Sequence, residues 1–389
     1  MRIAHYFHTL DAAQGGTFRV MANMALASAA AGHEVSVLTP SIPDKNAADV
    51  RALEEGLRVV HRPGPSGLLG KATAERFADE FTAADVVHLH SLWHAATWRI
   101  VNVCARVGTP TMLTMHGMLM DYPMRSSAAK KKVFLKTLGG SLLRRVGVVQ
   151  MLNAEESRQS RGAGVDYRFV EIPNGVDVAQ FASLPERGWY RSTQPALEGK
   201  TVVLSMGRLH SIKGCELLLG AFLDEAASRE DIALVMAGPD EGSLPELEAM
   251  LEGHPARARV LLPGLVGGEV RLGMLSDADI FAQCSRHETA SMSVLEAAYA
   301  GKPLLLTDKC NYPEFASAGT GAECPVSREG VRTALASLLD RRDDLEDMGA
   351  RAKAIVDEKF RQDRVMDAIH GVYAKLIAGE RFPLIQSER

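Results

Sequence analysis

Apolar residues along the chain fall into short runs separated by longer stretches with helical spacing, the pattern of βαβ units feeding a mostly parallel sheet. In the first half the runs predict strands at 2–7, 34–39, 57–61, 86–90, 111–115, 147–152 and 168–172. The second half repeats the rhythm at 201–206, 233–237, 260–262, 280–282 and 304–307. Between the two series, 174–199 has no clear period and carries Pro185 and Pro195, so it reads as a connection between domains. Near the end, Val365, Ile369, Val372 and Tyr373 recur at helical spacing. A chain of 389 residues exceeds what one core organises. Two Rossmann-like α/β domains are therefore expected, at 1–175 and 176–360, with a terminal helix in 361–389 packing back on the first.

Composition narrows the function classes. The hydrophobic share of 46% and charged share of 24% are those of an ordinary globular protein. A formal charge of -4 gives no global reason to expect nucleic-acid binding. Five cysteines lie without metal-ligand spacing, and an odd number argues against a complete disulfide framework, so a reducing cytoplasm fits. The chain opens directly into its first strand with no signal-peptide pattern, and no apolar run is long enough to predict a spanning helix. Contact with a membrane surface stays open.

In parallel sheets ligands bind at loops leaving the carboxyl ends of strands. After the strand 201–206, Gly207-Arg208-Leu209-His210-Ser211-Ile212-Lys213-Gly214 sets two cations between glycines at the start of a helix. Arg208 and Lys213 can converge on a diphosphate there, aided by the helix N-terminus; otherwise they are solvated loop charges. After the strand 280–282 comes Ser285-Arg286-His287-Glu288-Thr289-Ala290-Ser291-Met292-Ser293-Val294-Leu295-Glu296. Its small residues let backbone amides near Ser291, Met292 and Ser293 approach an anion. Glu288 and Glu296 are acceptor-only groups suited to sugar or ribose hydroxyls, or else surface charges of a helix.

Taken in order, these motifs resemble the donor site of retaining glycosyltransferases of family 4, which have the GT-B fold of two Rossmann-like domains facing across a cleft. The matching features are the Gly-Arg-x4-Lys-Gly turn, two glutamates eight positions apart, Glu296-Ala297-x3-Gly301-x-Pro303, and Ile172-Pro173-Asn174-Gly175 at the domain junction. The resemblance implies a nucleotide-sugar donor, UDP- or GDP-linked, and transfer with retention. Arg208 and Lys213 would hold its diphosphate, with Ser291, Met292 and Ser293 completing the cradle, Glu296 on the ribose, and Glu288 on the transferred sugar. By similarity the base lies near Leu265 and Val266, Gln14-Gly15-Gly16-Thr17 is the N-terminal glycine loop with Gly16 at the phosphate, and His116 in Thr114-Met115-His116-Gly117 contacts the sugar. One departure is Thr289-Ala290-Ser291, where the family commonly has Gly-Phe-Gly; side chains there restrict the backbone and alter the sugar pocket.

Asp277-Ala278-Asp279 matches the DxD by which another glycosyltransferase architecture binds a divalent cation, but it leads straight into an apolar run and lacks a third ligand. No metal or other cofactor is therefore expected. His88, His90 and His94 lie close enough in sequence to raise a metal site, although alternate strand residues share a face for structural reasons. Within 124–145, Arg125, Lys130, Lys131, Lys132, Lys136, Arg144 and Arg145 are interleaved with leucines and no acid, which suits either an anionic membrane surface or a solvated helix face. The resemblance implies a glycan, lipid-linked or small-molecule acceptor, and similar chains serve polysaccharide and glycoconjugate assembly, so a cytoplasmic enzyme is expected, with the inner face of the cell membrane open to it through 124–145. A nucleotide-sugar epimerase, a non-catalytic nucleotide-sugar-binding protein, or a phosphorylase of the same fold is the competing reading.

Overall fold

A computed structural model describes residues 1–11, 16–43 and 47–386; Gln14 and Gly15 of the glycine loop lie outside them. The chain forms two compact units, one of Met1–Gly175 with the chain from Gln362 onward, the other of Val176–Arg361.

The first unit is built on β1 (Arg2–Phe7), β2 (Glu34–Thr39), β3 (Arg58–His61), β4 (Val86–His90), β5 (Thr111–Thr114), β6 (Val148–Met151) and β7 (Tyr167–Glu171). These pair in parallel in the order β7-β6-β5-β4-β1-β2-β3. Strands covered on both faces are largely apolar, and β4, β5 and β6 are buried at every position, the polar His88, Thr114 and Gln150 among them bonding to one another. The helix Gln362–Ile377 buries Val365, Met366, Ile369, Val372, Tyr373 and Leu376, and it packs on the helix Gly16–Ala30. His370 on that helix meets the Ser28 hydroxyl at 3.0 Å.

The second unit runs β8 (Thr201–Met206), β9 (Ile232–Ala237), β10 (Val260–Gly264), β11 (Ile280–Gln283), β12 (Leu304–Thr307) and β13 (Gly321–Cys324). All neighbours are parallel, in the order β10-β9-β8-β11-β12-β13. β13 was not among the predicted strands, because Gly-Ala-Glu-Cys at a sheet edge offers no apolar run. The same holds for β14 (Leu384–Ile385), two residues that pair antiparallel with β7. Among the described residues no helix is long and apolar enough to cross a membrane.

The aperiodic stretch after Gly175 belongs to the body of the second unit. Its turns are fixed by side chains instead of a repeating backbone pattern, which is why no period shows. The buried Asp277 carboxylate accepts from the amides of Gly188 and Arg191, and Asp279 accepts from Val202 N at 2.7 Å and from the guanidinium of Arg191 at 2.6 Å. Trp189 lies against Gly273 so closely that a Cβ there would stand 2.4 Å from the indole.

Removing the Asp277 carboxylate leaves two inward-facing amides without an acceptor. Asp277→Ala should lower the unfolding free energy by about 2–4 kcal/mol in urea titration. A loss below about 0.5 kcal/mol would show that this segment is held by something else.

Candidate functional site

A parallel sheet whose strand order reverses leaves a crevice at the reversal, because the two loops there turn to opposite faces. In the second unit that point lies between β8 and β11. The loops leaving these two strands are Gly207–Gly214 and Ser285–Ser291, the two segments that carry the candidate donor residues.

The loops are locked together through backbone. Gly214 sits at φ 62, and a Cβ on it would lie 2.1 Å from the carbonyl oxygen of Cys284, so only glycine allows the approach. Arg286 N donates to Ile212 O at 2.7 Å and its guanidinium to Ser211 O at 3.0 Å. This register carries the Lys213 ammonium onto the Glu288 carboxylate; both side chains are largely buried. Glu288 also accepts from the Ser285 hydroxyl at 2.7 Å, and its own amide donates to Lys309 O at 3.0 Å. It therefore lies in the loop, not on the helix surface.

The helix Met292–Tyr299 follows directly. Ser291 makes no side-chain cap; its hydroxyl meets that of Ser293 at 3.0 Å. The first-turn amides, with the positive end of the helix dipole, are thus not covered by the capping side chain. One turn further, Glu296 is buried and accepts from Arg271 at 2.7 Å, while Arg271 also donates to the Gln180 amide oxygen. Arg208 is 43% exposed and pairs with Glu241 from the loop after β9. Leu265, in the loop after β10, stands 78% exposed, an unusual position for leucine, with Val266 half-buried beside it. Arg271, Glu241 and Gln180 were not anticipated: each belongs to a different segment, and only the fold brings it to its partner.

Both carboxylates of the DxD are spent on the amides and arginines of the 187–202 segment, which gives them a structural task.

In the first unit, His116 follows β5 in a left-handed conformation at φ 52, with Gly117 at φ 79. Glu156 holds this turn: one carboxylate oxygen accepts from Gly117 N at 2.6 Å and the other from Leu152 N at 2.7 Å. It is fully buried, and burial pushes its carboxyl up to about 7. Asn153, whose side chain accepts from Glu156 N at 2.8 Å, and Glu156 are the ends of a helix-capping pattern that sequence could have flagged. Gly16 begins its helix exposed, with open space among the described residues where a Cβ would stand.

The neighbouring histidines divide into two networks. His88 is fully engaged. Thr114 gives its hydroxyl proton to Gln150 Oε1 at 2.7 Å, so it accepts from His88 Nε2 at 2.7 Å, leaving His88 Nδ1 to accept from the Tyr373 hydroxyl at 2.7 Å. His94 stacks on His8 with centroids 4.0 Å apart and does not join His88 and His90. Instead His5 does: one ring nitrogen from each of His5, His88 and His90 lies within 4.8 Å of the others. Burial lowers His5 to about 3 and His116 to about 4, so these imidazoles are neutral at pH 7.

The basic segment folds as helices Ala128–Phe134 and Gly140–Arg145 around a wider turn at Leu135–Gly139. Leu135, Leu142 and Leu143 are in the core, so the leucines serve packing. Outward stand Arg125, Lys130, Lys132, Lys136, Arg144 and Arg145, with Val133 63% and Tyr122 41% exposed among them. Lys131 turns back over Trp93 and donates to Pro123 O at 2.6 Å.

Comparison with known proteins agrees with this architecture. The family model for glycosyl transferases group 1 matches residues 190–355, and that for glycosyltransferase family 4 matches 14–180. A phosphatidyl-myo-inositol mannosyltransferase of Mycolicibacterium smegmatis is 28% identical over 80% of this chain and 77% of its own. The D-rhamnosyltransferase WbpZ of Pseudomonas aeruginosa is 24% identical over 92% of each. HepE of Anabaena, solved with UDP and glucose, superposes with a TM-score of 0.78 at 16% identity, covering 96% of this chain and 100% of that one. Two reversing parallel sheets, each matched by its half of the family's models, show that the chain belongs to the family 4 glycosyltransferases of the GT-B fold.

Proposed function

We propose that this glycosyltransferase takes a hexose-type sugar from a UDP- or GDP-linked donor and transfers it with retention of configuration, without a metal ion. The observation that carries the reading is the Lys213–Glu288 pair at the β8/β11 reversal, directly before the helix Met292–Tyr299. A diphosphate is a better partner for Lys213 than one carboxylate, since it offers several anionic oxygens and gains further charge as it leaves. Its arrival would free Glu288 for hydroxyls of the transferred sugar. Arg208 adds a second cation, the amides of Met292 and Ser293 a cradle, Glu296 acceptors for the ribose, and Leu265 and Val266 an apolar surface for the base. His116 would touch the sugar. The C1–O bond to the diphosphate breaks, the acceptor oxygen bonds to C1 on the same face, and its proton passes to a phosphate oxygen.

The solved neighbour's UDP and glucose support a nucleotide-sugar donor, and the mycobacterial relative's phosphatidyl-inositol acceptor supports a lipid-linked one. The outward lysine face around Val133 and Tyr122 suits an anionic membrane that would present such an acceptor. Charge neutralisation by Lys213 and Arg208 takes the place a divalent cation fills elsewhere.

Lys213→Ala should weaken UDP and GDP binding in calorimetry by more than tenfold, above about 1.4 kcal/mol; unchanged affinity would remove Lys213 from the site. Chelation with EDTA should leave donor hydrolysis largely intact, whereas loss restored by Mg²⁺ or Mn²⁺ would establish a metal requirement. The protein should sediment with phosphatidylglycerol vesicles and not with neutral ones, and be released by salt. Replacing Lys130, Lys132 and Lys136 with glutamine should abolish that binding; equal partitioning of wild type and triple variant would make these lysines ordinary surface.

A further inference from the structure

The core of the first unit contains a file of three imidazoles, of which only His116 has a role in the reading above. His5 Nδ1 faces His90 Nε2 at 3.2 Å, and His90 Nδ1 faces His116 Nε2 at 3.4 Å. His5 and His90 are buried on β1 and β4, while His116, half-buried after β5, is the end that reaches the surface. We propose that His90, backed by His5, is a positioning residue that fixes His116 as the neutral tautomer carrying its proton on Nδ1. The proposal rests on the reading of His116 as a residue that touches the transferred sugar.

The direction of the file follows from its buried end. A neutral imidazole has one N–H and one lone pair, so three in a row admit two arrangements. With protons pointing inward, from His116 through His90 to His5, the proton of His5 falls on Nε2, which has no hydrogen-bond partner. A buried N–H would then stand without an acceptor. With protons pointing outward, His5 Nδ1–H donates to His90 Nε2, His90 Nδ1–H donates to His116 Nε2, and His5 Nε2 is left a bare lone pair. Orphaned buried donors are the rarer and costlier defect, which favours the outward arrangement. All three rings are held neutral by burial, so no added proton disturbs the alternation.

The consequence is chemical. With Nε2 occupied by His90, His116 can present only Nδ1–H, a donor. It serves as a fixed hydrogen-bond donor to a sugar hydroxyl or ring oxygen and not as a base. The same bonds give His5, His88 and His90 a reason to lie together that needs no ion: His88 is committed at both nitrogens to Thr114 and Tyr373, and the other two to each other. Among the described residues no carboxylate takes part in the bonds that hold these rings, as would help offset a divalent charge there.

Nitrogen-15 NMR of histidine side chains at pH 7.5 reads which ring nitrogen is protonated. In the wild type His116 should show a single Nδ1–H tautomer, and in His90→Phe a mixture. His5→Leu should give the same mixture, whereas His5→Asn, whose amide can donate from the place of Nδ1, should restore the single form; thermal melts check that each variant is folded. With UDP-glucose or GDP-mannose hydrolysis as the assay, His90→Phe should lower kcat at least tenfold with KM changed less than twofold. A His116 tautomer unchanged in His90→Phe and His5→Leu would overturn the relay. A lost tautomer with kcat intact, together with full activity of His116→Phe, would overturn the placement of His116 instead. One equivalent of zinc in the purified protein, absent from His5→Leu, would replace the hydrogen-bonded file with a metal site.

Discussion

The candidate donor site depends on a backbone contact between two loops, the approach of Gly214 to the Cys284 carbonyl. With any side chain at 214 the start of the helix Cys215–Ala226 would have to withdraw from the end of β11, and the register of Lys213 against Glu288 would go with it. The contact is a consequence of topology. β8 and β11 are neighbours although three strands apart in sequence, and their loops diverge to opposite faces at the reversal. A steric condition at one residue thereby sets the register of the Lys213–Glu288 pair.

The resting arrangement of charge has a common feature. Lys213, Arg208 and Glu296 are each already paired, with Glu288, Glu241 and Arg271. Buried or half-buried charges cannot wait unpaired, so each keeps a protein partner. Under the proposed function, recognition of a diphosphate would be an exchange of partners whose net gain is smaller than the raw attraction. The pair at Arg208 is partly exposed and screened, and it costs less to open. Glu296 differs, since it is buried and held by Arg271, whose guanidinium is in turn tied to the Gln180 amide oxygen.

Much of this was legible in the sequence. Strands announce themselves as short apolar runs, and twelve of the fourteen among the described residues match predicted positions. The glycine-bracketed cations and the serine-rich helix start also carry their chemistry locally. What stayed hidden was every feature made by distant segments: the edge strands β13 and β14, the anchoring of 176–199 by Asp277, the partners Arg271 and Glu241, and Glu156 under the His116 turn. The histidines show the limit most plainly. Sequence spacing grouped His88, His90 and His94, whereas parallel pairing of β1 with β4 puts His5 beside His88 and His90 and sends His94 to His8.

The central claim is that a nucleotide sugar's diphosphate takes Lys213 from Glu288 at the reversal between β8 and β11. A crystal structure of the protein soaked with UDP or GDP tests it most directly. The account predicts phosphate oxygens within hydrogen-bonding distance of Lys213 Nζ and of the amides of Met292 and Ser293, with Glu288 released toward the sugar side. A nucleotide bound elsewhere, with the Lys213–Glu288 pair still closed, would contradict it.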